Sequence, residues 1–234
     1  MDLIKDNWTK ADINEFHKYE IELKSDSYNC IWEAKIVNTT YECYGATSSK
    51  AREAVKKIKR GNYISFLDNL DIISHFDILC ACFLINEIKD FNIFKKYLEK
   101  YIIYFNSWAH TDSLKPRVPK EDLYNLSLEY IKSDMVFKRR LAIIFYFTLI
   151  KFDYFLEAYK IIDLLKNEEE YYVNIGAAWL LCELMIKDRD RCLKYYENNN
   201  TNKFIINKSI SKCRESFRIS KNDKDLLLKY KIML

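Results

Sequence analysis

The sequence predicts an all-α protein, a curved α-solenoid of stacked helix pairs, and three observations carry that prediction. Apolar residues recur at three- and four-residue steps along most of the chain, the spacing of one helical face. Only 3 of 234 residues are Gly and 2 are Pro, too few for the tight turns of a β-sandwich or a doubly wound α/β fold. The periodic segments number about a dozen, each of roughly 10–16 residues with short links, so that helix pairs would stack every ~35–40 residues along a concave face. No clean repeat is visible in the residues themselves. With no linker that splits the chain, a single domain over residues 1–234 is expected.

Taken in order, residues 1–24 hold a start segment and an amphipathic helix with Phe16, Tyr19 and Leu23 on one face. A second helix from Tyr28 to Asn38 carries Ile31, Trp32, Ala34 and Ile36. Gly45 is suited to ending a helix in the left-handed conformation, and Thr47 or Ser48 to capping the next. That next helix closes on Lys56, Lys57, Lys59 and Arg60. Cations in a last turn suit the dipole, although a phosphate patch is the alternative. Helices follow over Asn62–Ile73, Phe76–Lys89 and Asn92–Phe105. Pro119 starts another, with Glu121 and Asp122 in its first turn. Asp134 is the expected cap of Met135–Ile150, and a helix over residues 153–166 comes next. Glu168–Glu170 open the helix that contains Gly176-Ala177-Ala178-Trp179. Arg189–Asn198, Lys203–Arg214 and Asn222–Leu234 complete the series.

Composition removes several functions. The charge balance, 38 Lys and Arg against 34 Asp and Glu, leaves +4, a mild excess whose location matters more than its size. Three glycines cannot build a phosphate loop of the usual kind. No signal peptide is read at the N-terminus, and the longest apolar runs, such as Leu141–Ile150, are too short to span a bilayer. The seven cysteines lack Cys-x-x-Cys spacing, which supports neither a zinc site nor a disulfide framework. The expectation is a cytoplasmic monomer with reduced thiols, no membrane attachment, no metal and no cofactor.

Asn106–Lys115 is the stretch most suggestive of a site. Ser107 is placed to cap a helical turn. Trp108 and Asp112, four residues apart, then share a face with about 5–6 Å between their Cβ atoms. Two readings stay open on these residues alone: a core indole beside a solvated acid, or a π face beside an anion in a binding site. Lys138, Arg139 and Arg140 stand near a helix N-terminus, where cations oppose the macrodipole. Their placement favours an anionic partner. For Trp179 its own segment favours a core anchor. The run from Asn207 to Arg218 is basic, with Lys208, Lys212 and Arg214 as candidate phosphate contacts.

Four stretches together carry a resemblance: Tyr44-Gly45-Ala46-Thr47-Ser48-Ser49, Ser107-Trp108 with Asp112-Ser113, Arg139-Arg140-Leu141-Ala142-Ile143, and Tyr171-Tyr172-Val173 with Ala178-Trp179. In this order the chain resembles the DNA alkylation-repair glycosylases built of HEAT-like helical repeats, from about residue 30 to Arg218. The resemblance implies a cleft of two tryptophans and an aspartate for the lesion nucleotide's backbone, which here are Trp108, Trp179 and Asp112. It also implies an arginine that holds DNA, here Arg140. The partner implied is double-stranded DNA with alkylated bases, and the activity is hydrolytic release of N3- or N7-alkylated purines without a cofactor. Relatives of this fold that bind bent or branched DNA without catalysis are the alternative, and a helical protein scaffold is a third reading.

Overall fold

The computed structural model describes residues 1–24 and 26–232, with Ser27 and Tyr28 described in backbone only. Within them are fourteen α-helices, two short 3-10 segments and one isolated parallel bridge between Glu42 and Ser74. The all-helical expectation is met. The chain divides into two compact units, Met1–Pro119 and Lys120–Leu234.

The first unit holds α1 (Lys10–Glu22), α2 (Ser27–Val37), α3 (Ser48–Ile58), α4 (Tyr63–Asn69), α5 (His75–Ile85), α6 (Phe91–Ile102) and α7 (Trp108–Asp112). Helix α5 is its centre: all eleven residues are buried, as expected of a segment apolar on every side. Helices α3, α4, α6 and α7 pack against it, and α1 against α4. The aromatic core beneath α1 joins Trp8 and Phe16 to Phe66, with ring centroids 4.8 and 5.0 Å apart. The residues before α1 cross Gly61, where a Cβ would lie 2.3 Å from the Lys5 carbonyl oxygen. Only glycine permits that approach.

Several boundaries differ from the sequence expectation. Helix α2 closes at Asn38 as the sequence places it, but the left-handed residue at its end is Asn38 itself, with φ 49°, and not Gly45. Gly45, with φ 69°, lies in the following loop, where its N–H donates to Glu33 Oε2 at 3.1 Å. Thr47 precedes α3 but its side chain makes no cap bond. Helix α4 stops at Asn69, short of Ile73, because the backbone of Ile73 and Ser74 is drawn into the cap of α5. Both N–H groups donate to Asp77 Oδ2, at 3.0 and 3.1 Å, and Ser74 completes the reciprocal capping box.

Asp77 faces a second buried acid, Glu20, which is 1% exposed and whose two oxygens have no hydrogen-bond partner among the described residues. Burial first, and then Asp77, push the Glu20 carboxyl up to about 8 from its ordinary 4.5. Burial likewise raises Asp77, to about 6. The unfolded chain therefore gives up the Glu20 proton first as pH rises. The site's contribution to stability is full below the ordinary carboxylate range and is lost as pH climbs through the folded value. Glu20→Gln should remove that loss. Its melting temperature should exceed the parent's near pH 8, about where the folded carboxyl titrates. The two proteins should melt alike at about pH 4, where both acids are protonated. Equal melting at both pH values would exclude this account.

The second unit holds α8 (Lys120–Tyr130), α9 (Val136–Leu149), α10 (Phe155–Asp163), α11 (Tyr171–Lys187), α12 (Arg189–Asn198), α13 (Lys203–Glu215) and α14 (Lys221–Leu226). A 3-10 turn over Leu227–Tyr230 follows α14, and the last two residues of the expected terminal helix lie outside the described residues. Helices α8, α9, α11 and α13 pack in succession. Asp134 does not cap α9: its N-cap is Met135, without a side-chain bond. The Ser133 and Asp134 carbonyls instead accept from Arg139 Nη1 at 2.9 and 3.0 Å.

Candidate functional site

Helix α7 is five residues long and is positioned by its ends. Ser107 is its N-cap, as the sequence predicts: its Oγ accepts from the Ala109 N–H at 3.1 Å and donates to the Val37 carbonyl at the end of α2. Trp108 Nε1 donates to the neighbouring Ile36 carbonyl at 3.2 Å. The Asn106 side chain bonds Thr39 and Thr40, each at 2.6 Å. Helix α7 is thus tied to the end of α2 and the loop after it. Trp108 and Asp112 are half-buried and line one cavity of about 440 Å³. The Thr111 hydroxyl lies 3.1 Å from Asp112 Oδ1, which steadies the carboxylate at the wall.

The same cavity is lined by four residues that sequence reasoning does not single out: Trp32, Glu33, Arg52 and His75. Local pattern marks Trp32 only as one apolar position of its helix, yet it is 53% exposed. Burial raises the Glu33 carboxyl above its usual range, against the N–H it receives from Gly45. The guanidinium of Arg52 lies 4.0 Å over the Phe83 ring, a cation–π contact. His75 Nδ1 is 3.0 Å from Nε2 of buried His110. Burial pushes His75 down to about 4; burial and His75 push His110 to about 2. Both rings are therefore neutral near pH 7.

Arg52 also lines a second hollow of about 300 Å³, with Lys56, Lys59, Lys115 and Arg117 and a single acid, Glu87. Glu87 pairs with Lys59 at 3.2 Å and Arg117 at 3.1 Å. Arg52, Lys56 and Lys115 form no ion pair among the described residues. The part of this group in the run after residue 55 reads, by sequence, mainly as a dipole-matched helix end. Its partners Lys115 and Arg117 are distant in sequence, so the groove is visible only in the fold.

In the second unit the three consecutive cations are held from within. Arg139 makes a two-pronged bond to Glu168, Nε to Oε2 at 2.7 Å and Nη2 to Oε1 at 3.1 Å. Arg140 is 2% exposed; its Nη1 donates to the Tyr172 carbonyl and packs against Gly176. The Lys138 ammonium lies 5.0 Å over the Tyr130 ring. An outside anion is therefore not required to explain why Arg139 and Arg140 stand at this helix start. Trp179, which its segment suggests as a core anchor, is 37% exposed, with its ring 4.5 Å from Phe147. Helix α11 is buried except at its two ends, Tyr171 and Tyr172 and Ile186 and Lys187, and along a stripe through Ile175 and Trp179. On α13, Lys208 and Arg214 are exposed and Lys212 half-buried. The first two lysines of this set share a face at i, i+4, whereas Arg214 points elsewhere. Arg218 is paired with Glu183.

Among the described residues no group of three or more His, Cys, Asp or Glu side chains is arranged to hold a metal. No described helix is long and apolar enough to cross a membrane. All seven cysteines are free.

Fold and cavity together define an all-helical protein with an acid-and-indole hollow beside a groove of cations. The sequence model of a family described as DNA alkylation repair enzyme matches residues 5–212. The chain belongs to that family, and a role in DNA repair follows for it. No individually curated protein matches the chain.

Proposed function

We propose that this protein is a monofunctional DNA N-glycosylase that releases cationic N3- and N7-alkylated purines, acting as a monomer on double-stranded DNA. The observation that carries the reading is the cavity of a DNA alkylation repair chain in which the Trp108 indole and the Asp112 carboxylate share one wall. An alkylated purine already bears positive charge and is a good leaving group, so no strong general acid is needed. As the C1′–N bond breaks, its electron pair neutralises the base and positive charge grows on the sugar. Asp112 stabilises that charge and orients the attacking water, whose oxygen bonds C1′ while its proton passes to the carboxylate or to solvent. Trp108 offers the sugar a π face, and Trp179 is a further exposed indole, in the second unit. The product is an abasic site in an uncut strand, and no cofactor takes part.

Phosphate contacts fall to Arg52, Lys56 and Lys115, with Lys138, Lys208, Lys212 and Arg214 as further cations. Arg139 and Arg140 act here by holding α9 to its neighbours. The logarithm of the duplex affinity should fall linearly with the logarithm of salt concentration. Replacing Lys56 and Lys115 together by glutamine should shrink the slope by about two, one for each phosphate that is no longer neutralised. An unchanged slope would remove this groove from the DNA interface.

Incubating the purified protein with duplex DNA that carries N3- and N7-methylpurines tests the activity directly. Free methylated base and alkali-labile abasic sites are expected. Binding of the duplex without base release would leave a non-catalytic DNA-binding protein instead.

A further inference from the structure

Two of the seven free cysteines meet where α11 and α13 lie side by side. The two helices run in the same direction and are pinned near both ends. Asn202, at the start of α13, donates from Nδ2 to Asn174 Oδ1 at 2.9 Å. Arg218, just past the end of α13, pairs with Glu183. This alignment sets Cys182 of α11 against Cys213 of α13, and their thiols are hydrogen-bonded to each other. Nothing in the sequence joins them, since they stand far apart in the chain and share no motif. Cys192 is a third thiol close by, but its Sγ is turned to the Leu181 carbonyl, 3.7 Å away, and to the Tyr159 hydroxyl.

The pair is asymmetric in the way that thiol oxidation needs. Cys182 is 4% exposed and Cys213 is 0% exposed, so a small solute at the surface meets Cys182 first. The hydrogen bond from Cys213 holds the Cys182 thiol below its ordinary value, with help from Arg218 and Lys212 and against burial and Glu183. The same bond, and then burial, push Cys213 upward, so that it stays a thiol. A thiolate favoured by a donor and by nearby cations is the nucleophile of thiol chemistry. A second thiol in contact with it is the group that resolves the oxidised product. Beyond Cys213 the Tyr196 hydroxyl lies 3.9 Å from its Sγ and 2.9 Å from Ser209 Oγ, which packs that side of the pair with protein.

We infer that Cys182 and Cys213 form a peroxide-reactive dithiol that closes to a disulfide between α11 and α13. The Cys182 thiolate attacks one oxygen of hydrogen peroxide and the O–O bond breaks. The sulfur becomes a sulfenic acid, and the hydroxide that leaves takes up the proton lost by the thiol, giving water. The Cys213 sulfur then attacks the sulfenic sulfur and the S–O bond breaks. The Cys213 proton departs with that hydroxide as a second water. One peroxide is thus reduced to two waters while two thiols are oxidised to one disulfide. The link ties α13, which carries Lys208 and Lys212, to α11, which carries Trp179. This chemistry is independent of the glycosylase reading.

The test treats the folded full chain with an equimolar amount of hydrogen peroxide, alkylates the thiols that remain, and maps the cysteines by mass spectrometry of the digest. A cross-link between Cys182 and Cys213 is expected, with loss of two of the seven free thiols and recovery of both on adding dithiothreitol. Cys213→Ser should leave Cys182 as a sulfenic acid that dimedone traps, because the resolving thiol has gone. Cys182→Ser should leave Cys213 a thiol under the same treatment. The cross-link mapped in the parent protein decides the matter if either variant does not fold. Oxidation confined to Cys30, the most exposed of the seven, overturns the inference. So does a cross-link from Cys182 to Cys192, or a link between Cys182 and Cys213 that forms only after the protein is unfolded in urea.

Discussion

Asp112→Asn should lower release of methylated base by about a hundredfold or more, the usual effect of removing one preorganised electrostatic stabiliser. The carboxylate's negative charge is most valuable when the sugar is most positive, so the loss should fall on the rate of base release and not on binding. Affinity for undamaged duplex should stay level or rise slightly, since one negative charge near phosphates has gone. The amide keeps the size of the side chain and can still accept from Thr111, 3.1 Å away in the parent, so melting should be little changed. Trp108→Ala should behave differently. It removes a surface together with the Nε1–H bond to the Ile36 carbonyl, and both lesion preference and release should drop. An Asp112→Asn protein that melts normally and releases methylpurine at the parental rate would end the catalytic assignment.

Arg140→Ala should cost about 1.5–3 kcal/mol of folding stability, the scale of a lost hydrogen bond to a charged group. The guanidinium is 2% exposed and donates to the Tyr172 carbonyl, so truncation opens a hole between α9 and α11 and takes a donor from that carbonyl. Arg140→Lys should recover only part of the loss, because a single ammonium does not reproduce the planar fork. Urea unfolding followed by circular dichroism reads the effect directly. The parental midpoint in the alanine variant, with DNA affinity lowered, would show instead that Arg140 serves the nucleic acid and not the fold.

Much of the helical architecture is legible from local pattern. Arg189–Asn198 coincides with α12, and the α13 boundary differs by a single residue. Misplaced ends come from caps with several candidates. Asn38, with φ 49°, takes the left-handed turn that ends α2, because an asparagine side chain tolerates that region, while Gly45, also left-handed at φ 69°, lies in the loop beyond. The Lys138–Arg140 cluster reads outward from sequence because the dipole argument sees only the helix that bears it. Glu168 and the Tyr172 carbonyl, which answer it, come from elsewhere in the chain.

By itself the sequence determined the all-helical class, the cap at Ser107 and the shared face of Trp108 and Asp112. Each depends on a period of 3.6 residues and on groups within one turn of each other. Tertiary structure alone decided what those two residues face. Trp32 and Glu33 reach the same cavity from α2, and Trp108 is tied there by a bond to Ile36, 72 residues away. His75 and His110 meet across 35 residues. Arg52 and Lys56 meet Lys115 and Arg117 around a groove that no local charge run reveals. Such contacts depend on which helix faces pack together, and that choice is made by burial summed over the whole unit, which no short stretch of residues records.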